Sequence, residues 1–229
     1  MSKNFSDRRA AGHDRADTLR AKLSGPSKDL DFFEALYAAA QGDAAGVPWA
    51  DLEPHPGLAE WIGRSGHLFE GNALDVGCGL GDNAEALSHL GYEVTGFDLS
   101  ETAIEWAKRR FPESAVHYVQ ADLFNAPTQW NRAFDLVQET YTLQALPAPL
   151  RVKAIDAIAE FVAPGGILLV VCRSRPESVA SAEGPPWPLA RSELQAFKDA
   201  GLVERNFQEF VVRENREIPH FRIEYERQK

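Results

Sequence analysis

One stretch, Ala73-Leu-Asp-Val-Gly-Cys-Gly-Leu-Gly-Asp82, constrains this chain more than any other. It reads as a buried strand over 73–76, a glycine loop, and a helix starting near Asp82. Gly77, Gly79 and Gly81 let the backbone turn sharply and approach a ligand. A dinucleotide fingerprint requires Gly-x-Gly-x-x-Gly, with its third glycine where helix packs on strand. Here that position is Asp82, and the glycines alternate. Asp75 stands two residues before the first glycine. An acid there suits a ligand bearing an ammonium group better than one bearing a pyrophosphate.

The surrounding pattern extends the motif. Tyr92-Glu-Val-Thr-Gly-Phe-Asp98-Leu-Ser reads as a second strand ending in an acid, placed to bind both hydroxyls of a ribose. A third strand, Ala115-Val-His-Tyr-Val-Gln, runs into Ala121-Asp-Leu-Phe124, and a fourth covers 134–138. Taken together, the Asp-x-Gly-x-Gly-x-Gly loop, Asp98 and Asp122 resemble the class I S-adenosylmethionine (SAM)-dependent methyltransferases. The resemblance implies SAM as cofactor. Gly77, Cys78, Gly79 and Gly81 would form the loop around it, with Asp75 near the methionine amino group. Asp98, Leu99 and Ser100 would hold the ribose and flank the adenine. Asp122 and Leu123 would define the adenine pocket, although Asp122 alone could equally cap the next helix. Gln138 and Glu139, at the tip of the fourth strand, would face the methionine part or the methyl acceptor, with Glu139 and Tyr141 as catalytic candidates. Tyr141 could also be a core aromatic.

Alternating strands and helices over the middle of the chain predict a mostly parallel sheet with helices on both faces. Helices are expected over 31–41, 56–63, 82–90, 101–110, 149–163 and 191–200, with Ser100 capping the fourth. Strands are expected over 73–77, 93–97, 115–120, 134–138 and 166–172. Two final runs, 202–213 and 218–225, turn near Asn215; the resemblance implies an antiparallel hairpin whose last strand inserts into a seven-stranded Rossmann-like sheet. The alternation of Ile218, His220, Arg222 and Glu224 with Pro219, Phe221, Ile223 and Tyr225 predicts a half-solvated strand. Three segments are expected: a flexible arm or loose helix over 1–29, a small helical cap over 30–69, and the methyltransferase domain over 70–229.

Residues before the glycine loop carry a narrower resemblance. Phe33-Glu-Ala-Leu-Tyr37, Gly42, Val47-Pro-Trp-Ala-Asp51 and Pro54-His-Pro56 resemble the N-terminal signature of the thiopurine S-methyltransferase, tellurite-resistance and thiol/halide methyltransferase group. Thr142-Leu-Gln-Ala-Leu-Pro147 resembles that group's segment after the fourth strand. The match is imperfect, because an alanine separates Trp49 from Asp51. The resemblance implies that Trp49 closes over the cofactor, with a core anchor as the alternative. It implies a small soft nucleophile, a thiol above all, as acceptor, which would need little base assistance because thiols ionise near pH 8.5. An O- or N-methyltransferase of a larger metabolite is the alternative, and a SAM-binding sensor a third. Tyr37, Trp187 and Arg173 are the acceptor-side candidates; Arg173 and Arg175 could bind an anion or simply be solvated. His55, between two prolines, reads as a rigid loop residue rather than a base.

Composition narrows the partners. The net charge is −10, and residues 1–30 hold seven Lys/Arg against four Asp/Glu, so the remainder is more acidic still. Such a surface repels nucleic acid. Gln138-Glu-Thr-Tyr141 also stands where amino-group DNA methyltransferases carry Asp/Asn-Pro-Pro-aromatic. No apolar run approaches the roughly 20 residues that span a bilayer. Two cysteines, Cys78 and Cys172, and a charged N-terminus without an apolar core point to the cytoplasm. Cys78 reads as a small residue in a tight turn. The six histidines show no paired metal-ligand spacing, so no metal is expected. A monomer or weak homodimer is expected.

Overall fold

A computed structural model describes residues 5–23, 28–65, 70–181, 185–213 and 216–229. Seven strands form one sheet in the order β3-β2-β1-β4-β5-β7-β6. They are β1 (Asn72–Val76), β2 (Glu93–Asp98), β3 (His117–Gln120), β4 (Phe134–Thr140), β5 (Val162–Arg173), β6 (Leu202–Arg213) and β7 (Glu217–Arg227). Strands β1 to β5 pair in parallel, and β7 runs antiparallel to both β5 and β6. The expected doubly covered sheet and the inserted last strand are both present.

Helices cover both faces. Leu58 and Trp61 of α3 (Pro56–Ser65), Ala84 and Leu87 of α4 (Asp82–His89) and Ile104 and Ala107 of α5 (Glu101–Arg110) pack on one side with Leu136 and Val171. On the other side, Ala154, Ile155 and Ile158 of α7 (Ala148–Phe161) pack with Leu74, Val137, Val170 and Ile223. Buried β-branched and leucine side chains on both faces are what a parallel sheet requires. Ser100 caps α5 as expected, its hydroxyl accepting from the Ala103 N–H at 3.0 Å. The expected helix over 191–200 is shorter: a 3-10 turn over Arg191–Gln195 leads into α8 (Ala196–Asp199).

The half-solvated reading of β7 does not hold. β7 lies inside the sheet, between β5 and β6, and side chains cover both its faces: Phe221 and Ile223 join the core, and His220 and Arg222 are buried as well. The buried guanidinium of Arg222 donates to the Gly57 carbonyl at 2.8 Å and also bonds Gln208. It thereby ties β7 to the first turn of α3.

Residues 5–22, expected as an arm or loose helix, form helix α1 (Phe5–Lys22) packed beside α2 (Lys28–Ala40). Polar ties hold it: Arg8 to Asp43 at 2.7 Å and Arg9 to Asp51 at 2.6 Å. Gly12 permits the close approach, since a Cβ there would meet the Ala45 carbonyl at 2.4 Å. Ser24 to Ser27 and Asn215 lie outside the described residues. Among the described residues no helix is long and apolar enough to cross a membrane.

Candidate active site

A cavity of about 220 Å³ opens at the carboxyl ends of β1, β2 and β4 and is roofed by α1 and α2. Ligands of open α/β sheets bind at this edge. Its lining includes Gly77, Asp98, Leu99, Asp122, Leu123, Tyr141, Trp49, Tyr37 and Arg173. The sequence therefore located nine of its candidate positions on one wall system. Phe33, Phe124, Thr142, Gln144 and Leu146, which stood in the quoted motifs but not among the site candidates, join them.

The glycine loop is built for proximity. Gly77 has φ +66°, and a Cβ there would meet the Thr142 hydroxyl at 2.6 Å. Gly79 has φ +52° and its N–H donates to Asp98 Oδ2 at 3.0 Å. Asp98 Oδ1 accepts from the Ser100 N–H at 2.9 Å. Burial raises the Asp98 carboxyl to about 6, against the pull of those amides. Each oxygen of an ionised carboxylate can accept more than one hydrogen bond. Asp98 can thus hold a diol while keeping both backbone ties. Asp122 accepts from the Phe124 N–H at 2.9 Å and the Asn125 side chain at 2.6 Å, so it caps a 3-10 turn and lines the cavity at once.

The remaining candidates do not reach the cavity wall. Asp75 is 1% exposed, beneath the loop, with Oδ2 lacking a hydrogen-bond partner. Burial, followed by the Asp98 charge, pushes its carboxyl well above the usual range. Cys78 is buried in the turn, its N–H donating to the Phe97 carbonyl at 2.8 Å, and burial raises its thiol. Gly81 faces Tyr118, and Ser100 is fully buried, donating to Glu34 at 2.7 Å. Of the wall residues, Tyr37, assigned to the acceptor, also abuts Gly79 and accepts from Trp49 Nε1 at 2.9 Å. Trp49 packs on Phe33 and Tyr37 with both centroids 6.0 Å away, so it is an anchor of the cap as well as part of the wall. Trp187 is held away from the wall, where Pro185 and Pro186 stand instead. Arg175 is engaged by Glu193 at 2.8 Å.

Gln138 and Glu139 are both fully buried. Successive residues of a strand point to opposite faces, and both faces of β4 are covered, so the strand tip offers neither side chain to the cavity. Glu139 accepts from the Leu143 N–H at 2.9 Å, and burial raises its carboxyl to about 7. The folded chain therefore holds this proton more tightly than the unfolded one, whose value is near 4.5. Folding is unopposed below that value and is penalised progressively as pH rises towards 7. We expect Glu139→Gln to stabilise the protein at pH 8 more than at pH 5, with turnover retained, in paired denaturation and activity measurements. Lost turnover with unchanged stability would restore a catalytic role.

The cluster that sequence reasoning missed surrounds Tyr141. This residue sits between β4 and α6 (Thr142–Ala145) with φ +70°. Its hydroxyl lies 2.8 Å from His55 Nε2 and 2.6 Å from His220 Nε2. Arg173 stands 5.7 Å from the ring centroid. His55 is 6% exposed, and burial, with His220 and Arg173 nearby, lowers it to about 3. A histidine flanked by prolines and another on a buried strand were the available signals, but they lie 165 residues apart in sequence.

Residues 73–166 match a family model described as a methyltransferase domain. A protein of Yersinia pestis (strain Pestoides F) named ubiquinone biosynthesis O-methyltransferase is 33% identical over 159 residues, covering 65% of this chain. Over its central part the chain is thus similar to known methyltransferases. The match spans 63% of that relative's own length. Among solved structures, the chain superposes on 1,6-didemethyltoxoflavin-N1-methyltransferase of Burkholderia thailandensis. That structure holds 1,6-didemethyltoxoflavin and S-adenosylhomocysteine; the TM-score is 0.71 at 18% identity, over 90% of this chain and 92% of that one. It also superposes on the cyclase SpnF, with a TM-score of 0.69 at 16% identity, over 90% of this chain and 97% of that one. The fold therefore accommodates more than one chemistry, and the function of this chain has to be argued from its own residues.

Proposed function

We propose that the protein transfers the methyl group of SAM to a hydroxyl of a small, largely apolar acceptor. The observation that carries this reading is one cavity lined both by the carboxylates Asp98 and Asp122 and by the apolar Phe33, Phe124 and Leu146. The chain's donors and acceptors fit the cofactor: Asp98 takes the ribose hydroxyls, and Leu99 and Leu123 flank the adenine. When bound, SAM supplies an electrophilic methyl on a good neutral leaving group. The protein's task is then to align the acceptor, exclude water and dispose of one proton. Phe33, Phe124 and Leu146 offer the acceptor an apolar wall. Tyr141, backed by two imidazoles, offers the polar group beside it. The name of the Yersinia relative supports an oxygen acceptor.

A second reading, transfer to a thiol, is favoured by the convergence of Tyr37 and Trp49 over the glycine loop, as the narrower family signature implies. Both readings suit a cytoplasmic monomer acting on a small molecule, and the acidic surface argues against nucleic acid as acceptor. The test follows S-adenosylhomocysteine formation with phenols, catechols, thiols, sulfide and halides. Turnover on hydroxyl acceptors is expected. Turnover on thiols alone selects the second reading, and tight SAM binding without turnover on any acceptor overturns both.

A further inference from the structure

The groups around Tyr141 form a chain whose proton directions follow from its two ends. The Gly57 N–H lies 3.0 Å from His55 Nδ1, so that nitrogen is the acceptor. A neutral imidazole carries its proton on the other nitrogen. His55 Nε2–H therefore donates to the Tyr141 oxygen. At the far end, His220 Nδ1 lies 2.8 Å from the Ile218 carbonyl, which can only accept. His220 Nδ1 is thus protonated, its Nε2 is bare, and the Tyr141 hydroxyl donates to it. Gly57, His55, Tyr141, His220 and Ile218 make one polarised line.

Three features mark this line as more than core packing. Tyr141 lines the cavity, whereas the two imidazoles it joins are buried, His220 completely. Its left-handed backbone, at φ +70°, is costly for an aromatic residue. And Arg222, on the same strand as His220, pins the carbonyl of Gly57 and so the segment that carries His55.

We propose that Tyr141 and His220 form a proton relay that takes the acceptor's hydroxyl proton during methyl transfer, with His55 as the residue that orients Tyr141. This rests on the hydroxyl-acceptor reading. As the acceptor oxygen bonds to the methyl carbon, the carbon–sulfur bond breaks and its electron pair stays on sulfur. The acceptor's proton passes to the Tyr141 oxygen, and the Tyr141 proton passes to His220 Nε2. The positive charge lost at sulfur appears on the imidazole, still anchored on the Ile218 carbonyl. The proton returns to solvent after product release. The groups facing His220 are Tyr141, His55, Arg173 of the neighbouring β5 position and the uncharged Phe210 ring of β6, with Arg222 behind Phe210. The nearby arginines favour release of the proton once the product has gone.

The test compares wild type, Tyr141→Phe and His220→Gln on phenols of graded acidity, with SAM affinity measured for each. Both variants should keep SAM affinity within about twofold. On weakly acidic phenols they should lose at least about 100-fold in kcat. The loss should shrink towards nitrophenols, which are already ionised, and as pH rises. An equal loss on every phenol at every pH overturns the relay and leaves a structural role. Wild-type turnover on thiols but on no phenol overturns the hydroxyl reading, and the relay with it. A second arm is independent of turnover and of variant folding. In the ¹⁵N-histidine spectrum of the wild type, His220 should show a bare Nε2 and His55 a protonated Nε2. The opposite tautomers overturn the proposal.

Discussion

Phe97→Ala should lower the unfolding free energy by about 3–5 kcal/mol, the usual cost of emptying a buried phenylalanine site. Phe97 is buried at the carboxyl end of β2, its ring 5.1 Å from Trp130 and 6.2 Å from Phe161 between centroids. Trp130 and Phe161 also touch each other, at 6.1 Å, so the three rings support one another and the site cannot collapse around a methyl group. Urea denaturation followed by tryptophan fluorescence reads the effect, since Trp130 is a direct neighbour. The same ring forms part of the cavity wall, so SAM affinity should fall as well. A loss below about 1 kcal/mol would mean that the aromatic cluster repacks, against the close packing expected of such a core.

The adjacent residue should behave in the opposite way. Asp98→Ala should weaken SAM binding by about 1.5–3 kcal/mol, roughly 10- to 150-fold, because a charged acceptor is removed from two hydroxyl donors. Stability should change far less. The variant leaves the Gly79 and Ser100 amides without their acceptor, but it also removes a buried charge that sits near Asp75. The wild-type pH profile follows from the same carboxyl, which burial raises to about 6. Ribose hydroxyls donate to the ionised form, so affinity should be full above that value and fall as pH drops through it. Calorimetric titration of SAM between pH 5 and 8 measures both. Unchanged affinity in Asp98→Ala would remove Asp98 from the ribose site.

The cofactor end was legible because its chemistry is local. The glycine loop and Asp98 lie within one βαβ unit, where backbone geometry and a strand-end acid leave a fixed spacing. Glu139 and Gln138 misled because being at a strand tip does not determine which face a side chain takes, and both faces of β4 are buried. Trp187 misled for a related reason: its segment does reach the cavity, but through Pro185 and Pro186. Helix α1 left a weak hydropathic trace, since it docks by Arg8, Arg9 and the small Gly12, and its apolar contacts, Ala16 and Leu19 against Phe32 and Leu36, are few. The Tyr141 cluster was invisible because it joins residues from a loop, a strand end and the inserted β7. No local spacing encodes that meeting; only the sheet order does.

That sheet order also governs how the chain reaches its fold. β6 precedes β7 in sequence yet lies outside it, so until residues 217–227 insert, β6 has no partner in the sheet and β5 presents an open edge. Both are long strands, of 12 residues each, and open edges of that kind recruit other chains. A chain in which β7 has not inserted leaves both of these edges open, and His220, carried on the same strand, meets Tyr141 only when β7 is in place. The proposed relay therefore requires a closed sheet, so a chain competent for that chemistry is one whose long edges are already covered.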